Sequence, residues 1–180
     1  MNYVIVDLEA TCWEGPRKAP NEIIEIGAVL VKDQAEVVSA FEQFVRPHLQ
    51  PQLSDFCTSL TSIRQSEVDD APLFPEAIER FTSWFGYGQA DYLLCSWGFY
   101  ARHQFAHDCK LHGMRVDWLE SHISLKHQYA RMMELKRPIG MKSALHHEKL
   151  TLEGTHHRGI DDARNIARII QRHFDRWERP

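Results

Sequence analysis

Three acidic residues and one histidine carry the chemistry that this sequence offers. Asp7 and Glu9 stand at the end of a run of strand-forming residues, with one apolar residue between them. Because side chains on a strand alternate with a period of two, both carboxylates point to the same face, roughly 7 Å apart. Two acids on a buried face are costly to hold as anions unless a cation compensates them. The pair suits a site for divalent ions, although D-x-E alone is more typical of solvated acids at a strand end.

The second group lies near the C-terminus, in the segment 156–163. Asp161 and Asp162 are predicted to begin the last helix, where acids are favoured by capping and by the helix dipole. Capping alone explains Asp161, whereas Asp162 lies inside the first turn and can face inwards. His157 precedes both in a loop. Its imidazole is either a surface group or a general base close to the same carboxylates.

Composition indicates one domain, residues 1–180, with a sizeable core. No apolar run approaches the roughly 20 residues that cross a bilayer, and we expect no membrane association. The cysteines show no C-x-x-C spacing, which favours reduced thiols and a cytoplasmic location. They are Cys12, Cys57, Cys95 and Cys109. The net charge of −4 excludes a broadly basic surface for nucleic acid, so any such binding must be local.

The hydrophobic pattern predicts three strands in a meander, followed by alternating helices and strands. Strands are predicted at 3–7, 23–31, 36–45 and 91–96. Helices are predicted at 58–65, after Pro72–Pro75 through Phe85, and at 100–112, 125–135, 141–147 and 161–177. The meander favours antiparallel pairing and the later crossovers favour parallel pairing. The sequence therefore predicts an α/β fold in which helices flank one mixed β-sheet.

Five blocks of the sequence resemble, in order, the motifs of DEDDh exonucleases, and in particular those of the Eri-type 3′–5′ exoribonucleases. The blocks are 7–13 (DLEATCW), 22–27 (EIIEIG), 56–63 (FCTSLTSI), 95–98 (CSWG) and 157–162 (HRGIDD). The resemblance spans nearly the whole chain. It implies a ribonuclease H-like exonuclease fold.

The resemblance also implies a mechanism and its residues. Asp7, Glu9 and Asp162 would be the ligands of two divalent metal ions, Mg²⁺ or Mn²⁺, and His157 would be the base that deprotonates the attacking water. The expected reaction releases nucleoside 5′-monophosphates from the 3′ ends of single-stranded nucleic acid, with RNA favoured over DNA. Because no additional RNA-binding segment is recognised, targeting is expected to depend on another protein.

One family residue is missing. The second aspartate of the family falls just after Ser96-Trp97-Gly98, where this chain has Ala101. Alanine cannot bind a cation, so metal affinity and turnover are expected to fall. Either Ala101 is an engineered inactivation, which the intact remaining motifs favour, or the chain is a natural member that binds nucleic acid without cutting it. His103 and Asp108 lie nearby, but a helix would point them elsewhere.

Candidate substrate contacts surround these motifs. The resemblance brings the backbone of Ala10 and Thr11 to the terminal nucleotide. Side chains that could enclose a base are Leu60, Thr61, Trp13, Phe56, Trp97 and Tyr100. Tyr100 is the better candidate for stacking, whereas Trp97 and Phe56 are equally typical of a core. Candidates for phosphate contacts, or simply solvated charges, are Arg102, Lys142 and Arg158.

The sequence leaves other functions open. The chain could be a non-catalytic RNA-binding module, or a metal-dependent phosphohydrolase for a small nucleotide or dinucleotide. His103 and His107 lie four residues apart on a predicted helix, a spacing that can bind zinc. Neither a thiolate partner nor an H-E-x-x-H sequence accompanies them, which favours an exposed helix face.

Overall fold

The computed structural model describes residues 1–16 and 19–178, which form a five-stranded sheet with helices on both faces. The strands are β1 (Asn2–Ala10), β2 (Ile23–Val31), β3 (Val37–Phe44), β4 (Tyr92–Ser96) and β5 (His122–Ser124). The α-helices are α1 (Asp55–Thr61), α2 (Gln65–Asp69), α3 (Phe74–Phe85), α4 (Tyr100–Leu111), α5 (Leu125–Met132), α6 (Met141–His147) and α7 (Gly159–Arg172). Short 3₁₀ turns span Asp33–Ala35, Asp117–Leu119 and Phe174–Arg176.

The strand order in the sheet is β3-β2-β1-β4-β5. β1 pairs antiparallel with β2, and β2 with β3, whereas β1–β4 and β4–β5 are parallel. The predicted mixed sheet flanked by helices is thus confirmed. Because β1 lies at the centre, its C-terminal end is surrounded by protein on both faces, which is where the first acid pair stands.

Several predicted boundaries are wrong. The helix expected at 58–65 is two short helices, α1 and α2, because Ser62 adopts a left-handed conformation with φ of 61° and ends the first. β1 continues through Ala10 rather than ending at Asp7, and the last helix begins at Gly159, two residues before Asp161. β5 is absent from the prediction, since three residues carry too little pattern. No helix in the described part of the chain has both the length and the apolarity needed to span a membrane.

The two faces of β1 belong to different cores. Val4, Val6 and Leu8 pack in an apolar cluster with α3 and α4. Tyr3 and Ile5 pack on the other face, against α5, α6 and α7. Asp7 and Glu9 continue the odd-numbered series, so they face α7. This alternation confirms that the two acids share one face.

Helix α7 approaches the sheet so closely that only glycine fits at the contact. A Cβ atom placed on Gly27 of β2 would lie 2.0 Å from the carbonyl carbon of Gly159 and from the nitrogen of Ile160. A Cβ atom on Gly159 would lie 3.1 Å from the backbone oxygen of Asp7. The two glycines therefore bring the first turn of α7 into backbone contact with β1 and β2.

We expect Gly27→Ala to destabilise the protein by about 3 kcal/mol, because the added methyl group must push α7 away from the sheet. The measurement is the free energy of unfolding from urea denaturation. Gly140→Ala is the matched control, since nothing lies within 4 Å of its added Cβ, and it should cost less than about 1 kcal/mol. Equal losses in the two variants would contradict the contact.

Candidate active site

The structure brings together three carboxylates that are distant in sequence. Oxygen atoms of Asp7, Glu9 and Asp162 all lie within 4.8 Å of one another. Glu9 and Asp162 are buried, while Asp7 is partly open to a cavity of about 330 Å³. Strand alternation supplies the first two acids, and the third comes from the first turn of α7. The arrangement is a compact set of hard oxygen ligands.

Glu25 of β2 holds the N-terminus of α7 in place. Its carboxylate is fully buried and accepts hydrogen bonds from the backbone N–H groups of Gly159, at 3.0 Å, and Ile160, at 3.2 Å. The side chain of Arg158 donates to the same carboxylate at 3.2 Å. A carboxylate at the start of a helix satisfies unpaired N–H groups and stabilises the helix dipole. The cap of α7 therefore comes from a neighbouring strand.

The loop before α7 orients Asp162. The backbone N–H of His157 donates to Asp162 Oδ2 at 3.1 Å, and His156 Nδ1 lies 3.0 Å from the same oxygen. His157 has a left-handed backbone, with φ of 64°, and its ring stacks on that of His156 at a centroid distance of 3.9 Å. Asp161 turns the other way and accepts from the N–H of Thr155 at 2.8 Å. The two adjacent aspartates thus have separate roles.

The electrostatics of the cluster are unfavourable for anions. Burial, followed by the charges of Asp162 and Glu25, raises the pKa of Asp7 well above its usual range. Burial, with the neighbouring Asp7, raises the pKa of Glu9 to about 9. The charge of Arg158 lowers the pKa of Glu9, but less than these effects raise it, and Arg158 is itself paired with Glu25. The site therefore favours protons or external cations, as expected for acids held together on a buried face.

His157 lies beside these carboxylates in the form that a base needs. Burial and the neighbouring His156 lower its pKa, although Asp162 opposes this effect. The imidazole is consequently neutral at pH 7 and can accept a proton. One ring nitrogen of His157 lies within 4.8 Å of ligand atoms of His156 and Asp162. This histidine therefore adjoins Asp162, the acid that both groups of ligand atoms share.

Four of the residues predicted to contact substrate line this cavity. Its lining includes Ala10, Leu60, Trp97 and Tyr100, together with the three acids and His157. The indole N–H of Trp97 donates to the Ile139 carbonyl at 3.0 Å, which fixes one wall. Burial, followed by the nearby Glu9, raises the pKa of Tyr100 to about 12, so its phenol stays a hydrogen-bond donor.

Thr11 is placed differently from the expectation. Its backbone N–H donates to the Glu22 carbonyl at 2.8 Å, and its hydroxyl accepts from the Glu22 N–H at 2.9 Å. The side chain of Asn21 donates to the carbonyl of Thr11. These bonds occupy the polar groups that would meet a nucleotide, and Thr11 is not among the described residues that line the cavity.

Two other candidates are held by the fold. Arg158 pairs with Glu25 and with Glu42, so its guanidinium supports α7 instead of facing a phosphate. Asp108, considered as a replacement ligand, accepts from the N–H of Ile23 at 2.7 Å and from Gln104 at 3.1 Å. Both residues are therefore structural. Lys142 is exposed, so its amine is open to a phosphate. Its charge also lowers the pKa of His157, which indicates that the two residues are near each other.

Ala101 occupies the first turn of α4 and is 3% exposed. Its side chain packs in the apolar cluster of α3 and α4, and that turn carries no acidic residue. The preceding residue, Tyr100, lines the cavity and experiences the charges of Glu9 and Asp7. Position 101 thus follows a residue of the cavity wall but contributes no ligand.

Sequence reasoning gives no role to Glu25 or His156. Glu25 lies within the EIIEIG block, so a signal is present, but its function depends on a contact with residues more than 130 positions away. His156 stands out in the sequence only as half of a histidine pair. The cavity also includes Asn21, Met141 and Ile166, for which no local pattern exists.

The fold and these acids agree with membership of an exonuclease family. The sequence model of the family described as Exonuclease (RNase_T) matches residues 4–170, and the chain belongs to this family. The solved nuclease domain of 3′hExo, a DEDDh family member bound to rAMP, is similar, with a TM-score of 0.90 and 33% identity. That match covers 97% of this chain and 92% of the other. The resemblance to DEDDh exonucleases is confirmed.

Relatives similar in sequence carry corresponding names. The human 3′-5′ exoribonuclease 1 is 35% identical over 178 residues, which cover 93% of this chain and 51% of the human protein. ERI1 exoribonuclease 2 of Xenopus laevis is 31% identical over 191 residues, covering 94% of this chain and 28% of the frog protein. The chain thus spans about half, or less, of these curated relatives.

We expect Glu25→Gln to lower the free energy of unfolding by about 2 kcal/mol, since it weakens three hydrogen bonds that a buried carboxylate accepts. Chemical denaturation measures the loss. Glu42→Gln is the control, because Glu42 also pairs with Arg158 but is 42% exposed, and it should change stability by less than about 0.5 kcal/mol. If both variants behaved alike, Glu25 would not hold α7.

We expect Glu9→Gln to stabilise the metal-free protein, and the gain should grow as pH rises. The folded pKa of Glu9, about 9, exceeds the ordinary value of 4.5. The folded state therefore binds more protons than the unfolded state between those values, and the stability of the unaltered chain falls across this window. An amide at this position does not titrate, so the variant loses that dependence. Thermal unfolding from pH 5 to pH 9 in a chelator tests this.

Addition of Mg²⁺ should make the unaltered chain more stable than Glu9→Gln, the reverse of their order without metal. A cation that binds only the folded state raises the unfolding temperature of the unaltered chain, and less so that of Glu9→Gln. Glu79→Gln, at an exposed position on α3, should match the unaltered chain under both conditions. A Mg²⁺ response that Glu9→Gln leaves undiminished would argue against the cluster as the ion site.

Proposed function

We propose that this protein is a divalent-metal-dependent 3′–5′ exoribonuclease that releases nucleoside 5′-monophosphates from single-stranded ends. The convergence of Asp7, Glu9 and Asp162 beside a neutral His157 carries the proposal. Two buried carboxylates and a third that is partly open to the cavity match the ligand set of two Mg²⁺ or Mn²⁺ ions. RNA is the favoured substrate because relatives are named exoribonucleases and the 3′hExo domain was solved with rAMP.

The site residues have two roles in the proposed reaction, metal binding and proton acceptance. Asp7, Glu9 and Asp162 would hold the ions, which when bound supply Lewis-acid stabilisation of phosphate charge and a water of lowered pKa. His157 accepts the proton of the attacking water on its neutral imidazole. The hydrogen bonds of Asp162 with the 156–157 loop keep base and ligands in one geometry.

The cavity favours a terminal nucleotide over a long polymer inside the site. Its volume of about 330 Å³ suits one nucleotide, and Leu60, Trp97 and Tyr100 offer apolar and aromatic surface to a base. Stacking on an aromatic side chain tolerates any base. Trimming one nucleotide at a time without sequence preference follows from such a site.

Ala101 favours a second candidate, a module that binds RNA without cutting it. Without an acid in the first turn of α4, the site holds three of the four family carboxylates. Each group that fixes charge in an active site contributes to the rate. The chain as it stands would then retain RNA ends with little turnover.

Incubation of 5′-labelled single-stranded RNA with Mg²⁺ or Mn²⁺ tests the proposal. We expect slow trimming from the 3′ end, and Ala101→Asp should accelerate it by about 100-fold, because the added carboxylate completes the ligand set. Ala101→Asn is the matched control, which has nearly the same shape without the charge and should not accelerate trimming. Gel analysis of the products measures the rate.

Further variants separate the candidate functions. In the Ala101→Asp background, Asp162→Asn should lower the rate by at least about 100-fold, whereas Asp161→Asn should retain it, because Asp161 faces Thr155. If Ala101→Asp degrades nothing but still retains RNA, the binding module is correct. Hydrolysis of dinucleotides alone would instead identify a small-nucleotide phosphohydrolase.

A further inference from the structure

Phe99 lies between two cavity residues but points away from the cavity. Trp97 and Tyr100 line the cavity, while Phe99 precedes α4 and is 44% exposed. The Ser96 hydroxyl holds this corner by donating to the Gly98 carbonyl at 2.9 Å. An exposed aromatic ring thus lies at the rim of the cavity, and its residue directly precedes Tyr100 of the cavity wall.

Three histidine rings lie next to the Phe99 ring. The centroid of His127 lies 5.1 Å from that of Phe99, that of His122 6.0 Å and that of His103 6.3 Å. His127 Nδ1 lies 2.6 Å from the Ser124 hydroxyl, and His122 Nε2 lies 2.8 Å from the Ser96 hydroxyl. Since the fold already orders these rings, a base that stacks there meets a preorganised surface.

The charges around Phe99 suit a phosphate backbone. Lys126 lies beside the corner, because a Cβ atom placed on Gly98 would lie 3.9 Å from its Cδ. Arg102 is exposed and donates through Nε to the Leu119 carbonyl at 3.3 Å. Burial, followed by the charges of Arg102 and His103, lowers the pKa of His122 to about 4. A local basic and aromatic patch therefore stands out on a chain whose net charge is −4.

We propose that Phe99, with His103, His127 and Lys126 around it, binds the nucleotide that precedes the 3′-terminal one in single-stranded RNA. This inference rests on the proposed function and names a second subsite for the same substrate. The terminal nucleotide fills the cavity, the strand crosses the rim at Tyr100, and the preceding base stacks on Phe99. Stacking and phosphate contacts of this kind are sequence-tolerant and salt-dependent.

A length series tests the subsite. Binding of AMP is measured by calorimetry, and binding of a 5′-fluorescein tetranucleotide with a phosphorothioate at its last linkage is measured by fluorescence anisotropy, both in Mg²⁺. We expect Phe99→Ala to weaken tetranucleotide binding by about tenfold and to leave AMP binding within about twofold, because a mononucleotide does not reach the ring. Phe99→Trp should retain tetranucleotide affinity.

Leu111→Ala is the matched control, since Leu111 is an exposed apolar residue of α4 about 18 Å from Phe99 along the helix, and it should change neither affinity. Unchanged tetranucleotide binding in Phe99→Ala would overturn the subsite, as would equal losses for AMP and the tetranucleotide. If the unaltered chain and Ala101→Asp bound neither ligand, the proposed function itself would fail. The two failures are therefore distinguishable.

Discussion

The seating of helix α7 on the sheet is the contact on which the rest of the site depends. The antiparallel register pairs Asp7 with Gly27 and Glu9 with Glu25. Gly27 leaves room for the first turn of α7 beside Asp7, and Glu25 binds the N–H groups of that turn. Gly27 and Glu25 lie two residues apart on the same face of β2. Gly27 provides the space and Glu25 the hydrogen bonds that place Asp162 beside the acids of β1.

The same arrangement sets up an electrostatic conflict. Glu25 stands opposite Glu9, and like charges directly opposite each other on a sheet are destabilising. Burial raises the pKa values of Glu25, Asp7 and Glu9. Arg158 and the first N–H groups of α7 oppose this effect at Glu25, whereas Asp7 and Glu9 have no comparable partner among the described residues. The fold thus brings together acids that favour a proton or an external cation over the free anionic form. Such local cost is typical of sites built for a bound ligand.

Local periodicity is enough to predict part of this arrangement. The alternation of β1 places Asp7 and Glu9 on one face, and the meander followed by crossovers predicts the mixed sheet. The predicted start of α7 is wrong because its cap comes from Glu25, and an N-terminal signal is read only from adjacent residues. The assignment of Thr11 to the substrate stays a prediction, and no pattern in the sequence reveals its bonds with Glu22. Contacts between residues far apart in the chain require the structure.

The most direct test of the account is a crystal structure of the protein grown or soaked with Mn²⁺, with diffraction data that include the manganese anomalous signal. The account predicts an anomalous peak coordinated by Asp7, Glu9 and Asp162, with the Glu25 carboxylate still bound to the N-terminus of α7. No peak among these three carboxylates at millimolar Mn²⁺, or an Asp162 side chain turned away from Asp7 and Glu9, would contradict it.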